Sequence, residues 1–239
     1  MEPNQQSGPE SIEMTSGAVS SFRGLVEIFY QPAAWFEKLR YNPKILVPYI
    51  VLAVLTAGMF LALGDLLVEM QMQSPQFQEQ LERGSISPDI VSIMWISAVT
   101  LGSITMLLAP LVAALLVLFW GNVVLAGKAS FKSLLSVMLY GEIIFAVGNL
   151  LVVPLALAKK SLAVGVNLGV LVAERGVQDV LYTALSKIDL FIIWEIVAIG
   201  IGLSIVYRLP RNRGYLLSVL SMGLLSVLAV AGAAIGSLF

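Results

Sequence analysis

The sequence predicts an all-α, polytopic bundle of membrane-spanning helices, and three observations carry that reading. Of the 239 residues, 58% are hydrophobic and only 12% charged, with a mean hydropathy of +0.91, more apolar than a water-soluble domain. Five segments each supply the roughly 20 apolar residues needed to cross about 30 Å of hydrocarbon. Lone apolar strands would leave backbone groups unpaired in lipid, so these segments must be helices.

In chain order, residues 1–20 are polar and acidic, with Pro3, Gly8, Pro9 and Gly17 among Gln and Ser. They read as a disordered leader without a cleavable signal peptide. Residues 21–44, SFRGLVEIFYQPAAWFEKLRYNPK, come next. Phe22, Leu25, Val26 and Phe29 have the spacing of one helical face. Pro32 then breaks that helix and starts another, whose Trp35, Phe36 and Leu39 lie opposite Glu37 and Lys38. An interfacial pair of amphipathic helices fits this pattern, with Pro32, Trp35, Phe36, Lys38 and Arg40 as candidate anchors and Tyr41 and Lys44 beside them. A helix pair packed under the bundle fits it equally, and the two readings are compatible.

The five spans are expected over about 45–68, 93–120, 131–158, 188–209 and 215–238. The second lies in an apolar stretch from residue 90, too long for a perpendicular crossing, so it tilts, kinks near Pro110 or begins outside the lipid. The stretch 161–173 is too short to cross and carries Gly165, Asn167 and Gly169. An interfacial or re-entrant segment is expected there rather than a sixth span.

With five spans, Arg23, Lys38, Arg40, Lys44, Lys128, Lys132, Arg208, Arg211 and Arg213 share one side, against Arg83, Lys159, Lys160, Arg175 and Lys187 on the other. This bias places the N-terminus in the cytoplasm and the C-terminus outside it. A prokaryotic cytoplasmic membrane is the expected location.

Two acids interrupt apolar spans. Glu142 lies about 15 Å along its helix from Lys132, and Glu195 about 20 Å from Arg208, so the two have similar depth. If spans three and four face each other, the carboxyls share a pocket and one is expected to stay protonated near neutral pH. An ionised carboxylate at the bilayer centre costs at least about 2.5 kcal/mol, so Glu142, Glu195 and Asn149, seven residues after Glu142, form a candidate intramembrane polar site. A protonated Glu donating to a carbonyl, a Ser or Asn149 would pin helices together for roughly 0.6–2 kcal/mol. Passage of a proton or cation is the competing role, and lipid headgroup contact a third. Small residues four or seven apart (Ala98 and Gly102, Gly141 and Gly148, Ala198 and Gly202, Gly200 and Ser204, Gly232 and Gly236) point to close helix packing.

The chain has no Cys and no His, which excludes disulfides, thiolate or imidazole metal sites, and Ser-His or Cys-His nucleophilic catalysis. A net charge of −1 without a local basic cluster offers no footprint for nucleic acid. Ala62-Leu63-Gly64-Asp65 lacks the first Gly of a Gly-x-Gly-Asp protease signature. No catalytic residue, metal or cofactor is expected.

The run QPAAWFEKL before a Pro and the first span, the third span opening after GKASFKSLL, and KIDLFIIWEIVAIGIGLSIVYRLPR at the fourth together resemble the Yip (Ypt-interacting protein) domain in its prokaryotic form, from about Phe22 to the C-terminus. The Asp189-Leu190-Phe191-x-x-Trp194 opening of span four and the short basic turn before span five are part of the match. The resemblance implies a five-span membrane protein with a cytoplasmic N-terminus, of a kind that in eukaryotes works with small GTPases of the secretory pathway. In IFYQPAAW, Gln31 stands where the eukaryotic Asp-Leu-Tyr-Gly-Pro-Leu-Trp signature has Gly, and Trp35 comes one residue late, so small-GTPase binding is not carried over. The expectation is a non-catalytic protein that organises membrane or binds membrane partners, its contacts being the lipid bilayer and other membrane proteins or itself. An ion, proton or small-solute permease component using Glu142 and Glu195 is the alternative.

Overall fold

The computed structural model describes residues 22–84, 89–177 and 179–236; the leader expected over 1–20 lies outside them. Among the described residues there is no β-strand, only an isolated backbone bridge between Asn167 and Asp189. Helices α1 (22–30) and α2 (Pro32–Tyr41) lead into α3 (Leu46–Met72), α4 (Pro75–Glu82), α5 (Ile90–Leu118), α6 (Phe131–Lys159), α7 (Val180–Ser186), α8 (Leu190–Tyr207) and α9 (Arg211–Gly236). Five of these, α3, α5 with its continuation to Val124, α6, α8 and α9, are long and apolar enough to span a membrane. The chain is an all-α polytopic membrane bundle.

Local sequence accounts for the helix ends. Ser130 caps α6 by accepting from the Ser133 N–H (3.1 Å), and Asp189 caps α8 by accepting from Phe191 (2.7 Å) and Ile192 (3.2 Å). Pro32 occupies the first turn of α2, where its missing N–H costs nothing. The apolar stretch from residue 90 is one long helix that passes Pro110 and widens in its last turns into a π-helix, Phe119–Val124. Beside it the Tyr207 hydroxyl donates to the Val117 carbonyl (3.2 Å), and a Cβ at Gly121 or Gly127 would overlap the Tyr207 ring.

Helix α6 is the centre, packed against α3, α5 and α8, while α9 packs on α8. Burial separates inner from outer helices: 44% and 50% of the spanning windows of α6 and α8 are buried, against 22% in α3, α5 and α9. Glycines set the closest approaches. Gly214 of α9 sits against the Gly200 carbonyl of α8, and Gly148 of α6 leaves room only for the Phe191 ring.

The stretch 161–173 does not form a spanning helix. It runs as loop into a short 3-10 helix, Leu168–Arg175, kinked at Val172. The Leu168 N–H donates to Ile188 (3.0 Å) and the Leu190 N–H to Val166 (3.3 Å), which straps this segment to the start of α8.

The helix pair at the N-terminus is packed on protein. Trp35 and Phe36 are buried; Trp35 meets Tyr140 of α6 edge-to-face with centroids 5.1 Å apart, and Phe36 lies over Gly202 of α8. Pro32 is buried as well. These three are therefore core contacts of the bundle rather than headgroup anchors, because Gly202 and Tyr140 present α2 with a surface its apolar face fits.

Candidate functional site

Glu142 of α6 and Glu195 of α8 are both buried, at 6% and 2% exposure, and their carboxyls lie close enough to act on one another. The helices touch at this level. A Cβ on Gly141 would overlap the Ile199 side chain and come within 3.8 Å of Glu195 Cγ. Glu195 Oε1 is buried, and no N–H or hydroxyl of the protein donates to it.

Asn149 does not join the pair. It lies two helical turns on, about 10 Å along the axis, and its side-chain amide donates to the Phe145 carbonyl (2.9 Å). There it lines a separate small cavity of about 40 Å³ with Asn167 and Asp189. The spacing that keeps Asn149 on the face of Glu142 thus places it at a different depth. At and just after α7, burial pushes the Lys187 amine down and the Tyr182 phenol up from their ordinary values.

A third acid was not singled out by sequence pattern. Glu27 of α1 is 3% exposed, and its carboxylate accepts from Arg23 Nε (2.6 Å) and Lys38 Nζ (3.0 Å). The Lys38 hydrogen bond foremost, and then Arg23, hold this carboxyl below the ordinary glutamate value against the opposing effect of burial. Lys38 also sits over the Trp35 ring at 5.7 Å, so it ties α1 to α2 instead of reaching only outward. Arg40 lies 3.9 Å from Glu37 and over the Tyr41 ring at 5.4 Å. The available signal was the Arg23-x-x-x-Glu27 spacing, which allows an ion pair on one helix face. Among the described residues, no three acids are grouped to hold a metal ion.

Comparison with known proteins agrees with this architecture. A membrane protein of Bacillus subtilis, YknW, is 22% identical over 232 residues, covering 95% of this chain and 97% of its own. No solved structure matches the chain. The Yip1 domain model matches residues 26–234, a range that takes in α2 to α8, most of α9, and Glu27, Glu142 and Glu195. On that match the chain is a membrane protein of the Yip1 domain family.

Proposed function

We propose that the protein is a non-catalytic membrane organiser or partner-binding bundle of a prokaryotic cytoplasmic membrane, in which Glu142 and Glu195 pin α6 to α8. The carrying observation is that both acids are buried side by side where Gly141 lets Ile199 and Glu195 close on α6. Polar contacts between membrane helices contribute roughly 0.6–2 kcal/mol of association, and this pair lies where Gly141 lets the two helices approach closely. The distribution of Lys and Arg supports a cytoplasmic N-terminus and an external C-terminus. Other membrane proteins, or further copies of this chain, are the proposed partners; no small GTPase is proposed.

One observation favours the permease reading: Glu195 Oε1 has no partner among protein N–H and O–H donors, as an ion-binding oxygen would. Liposomes carrying the wild type, Glu142→Gln or Glu195→Gln decide between the two. The organiser reading expects no proton or cation flux above empty liposomes in any of them. Acid-dependent flux in the wild type that both substitutions abolish replaces it with the permease.

A further inference from the structure

Helix α1 has two apolar faces, and the protein uses only one. Its inner face is packed: a Cβ at Gly24 would overlap the Trp35 indole, and Ile28 is fully buried. Its outer face carries Phe22, Val26 and Tyr30 at successive four-residue steps, a single helical stripe. These three are 55%, 62% and 61% exposed, so protein covers little of the stripe.

The fold gathers cations at the same end of the bundle from three connections distant in sequence. Ser136 exchanges hydrogen bonds with the Lys44 backbone (3.1 and 2.7 Å), seating Lys44 one turn from Lys132 on α6. Gly127 lies against the Tyr207 ring, which puts the connection carrying Lys128 at the same end of the bundle as Arg208. Arg208 opens the turn into α9, where Arg211 and Arg213 stand exposed in the first turn. Among the described residues, none of these six cations lies within 4.0 Å of a carboxylate. Among the described residues, the acids at this end, Glu27 and Glu37, are already paired with Arg23, Lys38 and Arg40.

We propose that this end of the bundle is a docking surface for an anionic phospholipid leaflet, with the Phe22-Val26-Tyr30 stripe seated at the acyl-chain boundary and the six cations on the lipid phosphates. An apolar helix stripe at the same end of the bundle as cations that no described carboxylate pairs with matches both layers of such a leaflet, hydrocarbon below and negative charge above. The anchor is thus α1, not the Trp35 face of α2. The proposal is independent of what Glu142 and Glu195 do.

The chain has no Cys, so Val26→Cys in the full protein gives a single attachment point for an environment-sensitive fluorophore at a solvent-accessible position. The labelled protein is reconstituted in phosphatidylcholine vesicles with and without phosphatidylglycerol, and quenching by acyl-brominated lipid is read. The expected result is blue-shifted emission with quenching several-fold stronger when phosphatidylglycerol is present, the increment being lost in Arg211→Glu/Arg213→Glu at unchanged melting temperature. Emission characteristic of water in both vesicles, or quenching indifferent to phosphatidylglycerol, overturns the proposal. So does label self-quenching that rises with protein density, which assigns the stripe to a second copy.

Discussion

Glu142 on α6 and Glu195 on α8 face each other across a helix contact held close by Gly141, and each is the other's buried polar neighbour. The two innermost helices are thereby joined by a polar link inside an otherwise apolar interface.

That link makes the chemistry of a substitution matter more than its size. Glu142→Gln retains a donor and an acceptor and is expected to change unfolding free energy by less than about 1 kcal/mol. Glu142→Leu strands the Glu195 carboxyl without a partner and is expected to cost about 1–3 kcal/mol. Denaturation in detergent followed by circular dichroism measures both. Equal stability of the two variants would show that the pair holds nothing together.

Helix proximity offers a second check. Leu at Gly141 must displace Ile199, and Leu at Gly148 must displace Phe191, so each is expected to lose about 1–3 kcal/mol through overpacking. Gly223→Ala has open space around the new methyl and should stay within about 0.5 kcal/mol of the wild type. Thermal melts of the three variants compare them directly.

Acid should loosen the α1–α2 hairpin. Because Lys38 and Arg23 hold the Glu27 carboxyl below its ordinary value, the folded chain binds fewer protons there than the unfolded one. The stabilisation is complete above the ordinary glutamate value, near pH 4, and is lost as pH falls through the lower folded value. Both cations are largely solvent-exposed, so its size is on the order of 1 kcal/mol. Melting temperatures of wild type and Glu27→Gln should differ at pH 7 and converge in strong acid; a gap that persists there removes the ion cluster as the cause.

Five spans place α2 and the α6–α8 connection on opposite faces of the membrane. In intact cells, Glu174→Cys is expected to react with an impermeant maleimide and Glu37→Cys only after permeabilisation. The reverse pattern would invert the proposed orientation.

The spans were legible because twenty apolar residues in lipid admit one backbone form, and the similar depth of Glu142 and Glu195 allowed them to meet once α6 and α8 packed against each other. Asn149 misled because seven residues preserve the helix face but move the side chain about 10 Å along the axis. Trp35 and Phe36 show another limit: an amphipathic pattern identifies an apolar face without saying whether lipid or protein covers it. Glu27 stayed hidden because Lys38 lies eleven residues away, beyond the Pro32 break, and only the hairpin brings the two together.

The order of synthesis gives the glutamate pair a meaning for biogenesis. Chains emerge N-terminus first, so α6 reaches the bilayer before α8, and Glu142 waits without its counterpart while about fifty further residues are made, at the energetic cost of an unpaired acid in hydrocarbon. Arrival of α8 ends that exposure. A nascent chain stopped in the α6–α8 connection is therefore expected to carry one unpaired acid in hydrocarbon that a chain completed through α8 does not.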